Sequence, residues 1–287
     1  MDNSYKKKIF LGTAQLVNAY GSLKLRSTKN KKKIFKFLDY ALENGINKFD
    51  TAQSYNSEDV IGEFINSNKK SKIKVATKIP SLPKKGTLDR IEFIKKSLNS
   101  SQKKLKTNIS TLFFHDENDV PFFLSNIGTL KKIKKEFGLT YLGLSLYTLK
   151  NLDQINRCNE TCAIQFPFNF ANDEILKKKV NNKHIIFARS IFLQGLLLNK
   201  KIRKKIPKKI HILHQKYFKE IEKRQESSLN LCINHAFNQN KIKYIIIGCD
   251  NINQLKEILN VSMDVKIKDY NHYKNLFYGS EAKIINF

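Results

Sequence analysis

Four side chains could carry out proton-transfer chemistry together. Asp50 and Tyr55 stand five residues apart in "KFDTAQSYNSEDVIGEF" (48–64), Lys78 lies in "VATKIP", and His115 lies in "TLFFHDEND". Asp50, Lys78 and His115 each end a short run of mainly apolar residues, and Tyr55 lies in the segment behind Asp50. A phenol is a poor acid near neutrality, with an ordinary pKa of about 10. A nearby ammonium favours the phenolate and lowers that value, so Lys78 is expected to lower the pKa of Tyr55. Asp50 would keep Lys78 charged and oriented. His115 would position a carbonyl oxygen beside the hydroxyl. Such a set aims a proton donor at an oxygen that gains negative charge, as reduction of an aldehyde or ketone by hydride requires.

Each residue taken alone has a plainer reading. Asp50 could cap a helix. Tyr55 could be a half-buried packing residue. Lys78 could be a solvated strand end in a lysine-rich chain, and His115 could be structural. Only joint placement separates chemistry from these readings, so the elements that carry the four residues decide the matter.

Short apolar runs alternate with helical patterns along the chain. The runs are 8–12, 46–50, 72–78, 109–115, 139–145, 162–167, 184–190 and 244–248. Helical patterns follow at 31–45, 57–68, 88–105, 121–137, 149–158, 173–182, about 212–239 and 251–260, with a last one at about 267–278. In 31–45, Ile34, Phe35, Leu38, Ala41 and Leu42 share a face and Gly45 ends the helix. Ser57 is the expected N-cap of the helix in 57–68, and Gly62 is expected to allow close helix packing. Strict alternation predicts a parallel sheet with right-handed crossovers, and eight units in 287 residues predict a closed (β/α)₈ TIM barrel of α/β class in a single domain. An open doubly wound sheet is the alternative, but "LGTAQLVNAYG" is not its GxGxxG phosphate loop. In a barrel, sites lie at the C-terminal ends of strands. Asp50, Lys78 and His115 end three consecutive strands, so they and Tyr55 are expected to converge.

With these residues in view, "GINKFDTAQSYNSEDVIG", "VATKIP" and "FFHDEN" resemble three signature segments of the aldo-keto reductase family. "LGTAQ" (11–15) and "FARSIFLQGLLL" (187–198) resemble it too. The latter, an RSxFLQG-type segment, is similar to a bacterial branch often associated with surface-polysaccharide pathways. The resemblance spans nearly the whole chain and implies one barrel over 1–287. It also implies a nicotinamide cofactor, no metal, and hydride transfer to a small carbonyl substrate. Tyr55 would be the general acid in reduction and the general base in oxidation. Gly12 and Thr13, in "LGTAQ", would contact the cofactor. Gln165 in "CAIQFPFN" matches the family glutamine at the nicotinamide carboxamide, and Ser145 in "GLSLY" matches the serine beside it. Leu146 stands where the family usually has Asn, so one carboxamide hydrogen bond is expected to be missing. Arg189 falls where many members carry an aromatic that stacks on the nicotinamide; a guanidinium can stack or bind phosphate. The segment "IIGCDNINQLKE" (246–257) matches the region that holds the 2′-phosphate of NADP, with Gly248, Cys249, Asp250 and Gln254 as the expected contacts. Members favouring NADP usually carry basic residues there, whereas Asp250 would repel a phosphate it faced. The family favours NADP(H), with NAD(H) as the alternative. A barrel that binds cofactor as a non-catalytic regulatory or assembly subunit is the second functional reading.

The remaining composition narrows the partners. The formal net charge is +28, from 53 Lys and Arg against 25 Asp and Glu. Nearly all the positive charge is Lys, spread in pairs and triplets such as Lys31–Lys33, Lys177–Lys179 and Lys204–Lys205. Arg, the residue of bidentate phosphate and guanine contacts, is scarce. Lys, Asn and Ile are abundant together, as in A/T-rich coding, so no specific nucleic-acid partner is expected. Cys158, Cys162, Cys232 and Cys249 form no CxxC pair and read as free thiols of a reducing compartment. His211 and His214 read as a solvated face and not as metal ligands. No signal-peptide run and no stretch of about 20 apolar residues is seen, which predicts a cytoplasmic protein without a membrane partner. Oligomeric state is not legible. Substrate choice is expected to rest on loops at about 116–121 and 191–211 and on the tail "FYGSEAKIINF".

Overall fold

The apolar runs form eight strands: β1 (Ile9–Gly12), β2 (Lys48–Asp50), β3 (Lys74–Ile79), β4 (Ile109–Phe114), β5 (Tyr141–Ser145), β6 (Ala163–Pro167), β7 (Ile185–Arg189) and β8 (Ile242–Gly248). Each pairs in parallel with the next, and β8 pairs with β1. The sheet is therefore a closed barrel with helices between the strands, a single-domain (β/α)₈ fold, and not an open sheet. This computed structural model describes residues 3–17, 30–202, 206–263 and 270–277. Lys204, Lys205 and the tail 278–287 lie outside the described residues.

Side chains alternate across a strand, and here the alternation separates two cores. Phe10, Ala76, Phe113, Ala163, Phe187 and Ile246 form the cluster inside the barrel. The Phe187 ring centre lies 5.3 Å from that of Phe10 and 5.2 Å from that of Phe113. The alternate residues, among them Leu11, Val75, Leu112, Ile164 and Ile245, belong to the larger core under the helices. Two residues beyond the interior plug, the same faces change character. Gly12 follows Phe10, Lys78 follows Ala76, His115 follows Phe113, Gln165 follows Ala163, Arg189 follows Phe187, and Gly248 follows Ile246. The two-residue period thus collects these residues into one layer at the C-terminal rim. Strand register adds Asp50 opposite Gly12 and Ser145 opposite Gln165.

Three helical patterns are broken or cut short, and a fourth, 149–158, is helical only over Leu152–Arg157. The 212–239 region is two helices, Lys208–Arg224 and Ser228–Phe237. Gln225 turns left-handed with φ 53°, and the Ser227 side chain accepts from the Asn230 N–H to cap the second helix. The 121–137 region breaks at Asn126 into Val120–Ser125 and Ile127–Glu136. The Asn126 side chain donates to the Phe122 carbonyl, competing with helix propagation. Of 173–182, only Glu174–Lys177 is helical. Lys178, which follows it, is extended, and its carbonyl and that of Lys179 accept from Lys241 and Asn156. The described part of the last helix is Tyr270–Phe277. Gly62 has the packing role expected of it: a Cβ there would lie 1.8 Å from the Lys104 carbonyl oxygen of the neighbouring helix Thr87–Leu105.

Candidate active site

The four residues singled out in the sequence meet at the rim. Lys78 Nζ donates to Asp50 Oδ2 at 2.6 Å and to the Thr51 carbonyl at 2.8 Å. The two side chains are 1% and 5% exposed. A buried ion pair persists only if its remaining hydrogen-bonding capacity is also met. Gln165 helps to meet it, donating from Nε2 to Asp50 Oδ1 at 2.9 Å. The Lys78 ammonium lies 5.0 Å from the centre of the Tyr55 ring. His115 meets the same ring edge to face, with centres 6.0 Å apart.

Tyr55 closes a single 3₁₀ turn, Gln53–Tyr55, in which its N–H donates to the Ala52 carbonyl at 3.0 Å. Gln53 pins this turn to the helix Thr87–Leu105, donating to the Ser97 carbonyl and to Ser101 Oγ, each at 2.8 Å. Asn56 then turns left-handed, with φ 56°. Ser57 stands at the expected N-cap position, but its hydroxyl does not cap the helix Glu58–Ser67. It bonds Thr13 at 3.1 Å and Thr51 at 2.9 Å instead, tying the segment after β1 to the one after β2.

The electrostatics correct one expectation. The Tyr55 pKa lies well above the ordinary phenol value, not below it. Burial is the largest cause and the Asp50 carboxylate adds to it, while the Arg189 guanidinium opposes both. The Lys78 charge is already matched by Asp50 at 2.6 Å, so the pair does not dominate the phenol. Burial also pushes the His115 imidazole down to about 4, helped by Lys78 and Arg189. Near neutrality the site therefore holds a protonated phenol and a neutral imidazole.

Arg189 is fixed by β5 and the segment after it. Its guanidinium lies over the Tyr147 ring at 4.3 Å and donates to the Leu146 carbonyl at 3.2 Å. Its Nε is buried without a partner among the described residues. Tyr147 is held in turn by Glu117, which accepts from the Tyr147 and Thr148 N–H groups at 2.9 and 3.0 Å. Leu146 itself is fully buried in the outer core, so its side chain supplies no hydrogen bond to the rim.

A cavity of about 460 Å³ opens over this rim. Its wall includes Gly12, Thr13, Asp50, Tyr55, Gln165, Arg189, Gly248, Cys249, Asp250 and Gln254, all singled out in the sequence. Lys78 and Ser145 are buried outside this lining, and His115, also outside it, packs against the ring of Tyr55. Burial pushes the Cys249 thiol up, and it is a packing residue of this wall. Burial also raises the Asp250 carboxyl from its ordinary value, against the pull of the Gln254 amide. Gln165 Oε1 is buried without a partner among the described residues. That orphan acceptor, on the residue that braces Asp50, fits the N–H₂ of a carboxamide, so the residues present suit a nicotinamide.

Sequence reasoning missed several wall residues. Gln15 lies across Gly248 so closely that a Cβ there would meet its amide nitrogen at 2.3 Å. Phe192, Gln194, Leu198 and Asn199, not singled out one by one, come from the segment after β7, within the loop 191–211 expected to set substrate choice, and Ser227, Ser228, Glu257 and Ile258 come from later segments. Ser190, Leu193 and Gln194 all have left-handed backbones, with φ 56°, 48° and 55°. Strain in non-glycine residues gathers where a site imposes it. His214 is buried, not solvated: it bonds the Asn199 carbonyl at 2.8 Å and so supports this wall.

Residues 8–275 match the model of the aldo/keto reductase family. An aldo-keto reductase of Strobilurus tenacellus is 29% identical over 138 residues, which are 47% of this chain and 40% of that protein. The match thus spans well under half the length of that relative. A glycerol dehydrogenase of Gluconobacter oxydans has a similar structure, with TM-score 0.70 and 20% identity, covering 94% of this chain and 90% of its own. The holo form of an aldo-keto reductase from Bacillus halodurans is similar too, with TM-score 0.71 and 17% identity over 94% and 91%. At these identities the two structures support the fold alone. The family model covers nearly all of the chain, and this protein belongs to the aldo/keto reductase family of oxidoreductases.

Proposed function

We propose that the protein is a nicotinamide-dependent carbonyl reductase, running in reverse as an alcohol dehydrogenase, on an aldehyde, ketone or keto sugar. One observation carries the reading: on the wall of a cavity the Tyr55 ring lies 5.0 Å from the Lys78 ammonium and 6.0 Å from the His115 ring. Gln165 would hold the nicotinamide carboxamide, with Gly12, Thr13, Ser145 and Arg189 around it. When bound, the nicotinamide supplies the hydride received by the carbonyl carbon. Tyr55 gives its proton to the carbonyl oxygen and passes through a phenolate. His115, neutral near neutrality, donates an N–H to the same oxygen and orients it. Lys78, aimed by Asp50 and the Thr51 carbonyl, stabilises the phenolate left behind. In oxidation the same phenolate takes the alcohol proton.

Tyr55→Phe tests the assignment. Turnover should fall by about 10²–10⁴-fold while cofactor binding persists. Retained turnover refutes the role of Tyr55. Tight cofactor binding by the native protein without turnover of any carbonyl in a broad panel would favour the non-catalytic subunit. The reading assumes a cytoplasmic protein with no nucleic-acid or membrane partner. Among the described residues, no helix is long and apolar enough to cross a membrane.

A further inference from the structure

The cavity wall runs against the charge of the whole molecule. The chain carries 53 Lys and Arg against 25 Asp and Glu. Yet among the described residues the wall holds one basic side chain, Arg189. Arg189 belongs to the Tyr55 end, where it lies on Tyr147 and its charge reaches both Tyr55 and His115. Another stretch of the wall lies at the end of β8 and beyond it, with Gly248, Cys249, Asp250, Gln254, Glu257 and Ile258. Among the described residues it contains two carboxylates and no cation. Lys256 is the one basic residue of the helix Ile252–Leu259, and its ammonium is turned away, 5.5 Å above the Tyr40 ring. Asp250 is fixed in place. Its N–H donates to Gln254 Oε1 at 2.8 Å, and Gln254 Nε2 approaches its Oδ2 at 3.4 Å. That leaves Oδ1 to accept from a ligand. Asn251 caps the helix by accepting from the Gln254 N–H at 3.0 Å, which orders Gln254 in turn.

A dinucleotide with its nicotinamide at Gln165 and Tyr55 and its adenosine half along this stretch of wall brings its ribose to Asp250. A carboxylate facing the adenosine ribose accepts from a free 2′-hydroxyl and repels a 2′-phosphate, which needs a cation instead. We infer that this stretch of the wall takes an unphosphorylated adenosine ribose, that the cofactor is NAD(H) and not NADP(H), and that Asp250 is the specificity-determining residue. The inference rests on the cofactor-binding reading of the site given above. Glu257 adds a second negative charge to the same wall.

Calorimetric titration of the full chain with NADH and with NADPH tests it. NADH should bind at least about tenfold more tightly. Asp250→Asn should shrink that ratio to within about threefold, and Asp250→Lys should invert it. The native ratio should also fall as salt is raised from about 0.05 to 0.5 M, because an exposed charge repulsion is screened. NADPH binding as tightly as NADH overturns the inference and leaves the dinucleotide reading standing. So does a large ratio that Asp250→Asn does not move, provided circular dichroism shows the variant folded. Binding of neither dinucleotide overturns both readings together.

Discussion

The barrel rim and the outer aromatic layer both bury titratable side chains, and they do so in opposite ways. At the rim, Lys78 and Asp50 lie within 2.6 Å, with Gln165 on the second carboxylate oxygen and the Thr51 carbonyl on the ammonium. In the outer layer His235 lies between the rings of Phe168 and Phe170, with centres 4.8 and 4.7 Å away and planes 16° and 19° from parallel. Neither His235 nitrogen has a partner among the described residues. Burial pushes this imidazole down to about 3, so it is neutral throughout the physiological range. Burial alone therefore does not mark a group for chemistry. The ion pair reaches the cavity through Asp50, with its hydrogen bonds supplied by three strand ends, whereas His235 is not part of the cavity wall and acts as a flat packing residue. A perturbed titratable residue becomes a functional candidate only where a cavity reaches it.

Breaking the rim pair should have the largest effect on this contrast. Lys78→Met strands the Asp50 carboxylate and should destabilise the fold by about 3–5 kcal/mol, read from guanidinium unfolding midpoints. Replacing both partners together, Asp50→Leu with Lys78→Met, should recover much of that loss but not activity. A single variant with native stability would show that the pair is not the buried unit described here. Gln165→Met is the next step down. Asp50 Oδ1 loses its donor, which should cost about 1–3 kcal/mol. The same change removes the orphan acceptor, so cofactor affinity should fall in parallel. Unaltered affinity would separate Gln165 from cofactor binding.

His235→Phe should have the smallest effect near neutrality, within about 1.5 kcal/mol, because one flat ring replaces another between two phenylalanines. Its consequence lies in acid. His115, His184, His214 and His235 all titrate lower in the folded state than the ordinary 6.5, His115 at about 4 and His235 at about 3. Below pH about 6.5 the unfolded chain binds protons that the folded chain refuses, so stability falls as pH drops toward these values. His235→Phe removes one of these four groups and should make the loss between pH 7 and pH 5 shallower. An unchanged slope in guanidinium melts at the two pH values would show that His235 does not contribute.

Much of the architecture was legible because it is written in short-range periodicity. The apolar runs named eight strands and put Asp50, Lys78 and His115 at three consecutive strand ends, whereas Gln165 and Arg189 were legible only through the family resemblance. The helix breaks at Asn126 and Gln225 were less legible, since the apolar periodicity continues across both and only a side-chain hydrogen bond or a left-handed residue interrupts the backbone. Ser57 shows the same limit. Its type and position mark a helix start, but a tertiary contact with Thr13 and Thr51 takes the hydroxyl that would have capped it.

By itself, the order of residue types along the chain determined the alternation of strands and helices and the set of polar side chains at the strand ends. Only the tertiary structure decided which way the Tyr55 proton equilibrium leans. The charge on Lys78 is visible in sequence, but its partner at 2.6 Å and the burial of the phenol are not, and desolvation outweighs a charge already paired. The tertiary structure also decided that Gln15, Asn199, Ser228 and Glu257 share a wall with residues far from them in the chain. The physical reason is the same in both cases. Periodicity acts over a few residues, while solvation and Coulomb energies depend on distances that exist only after the barrel has closed.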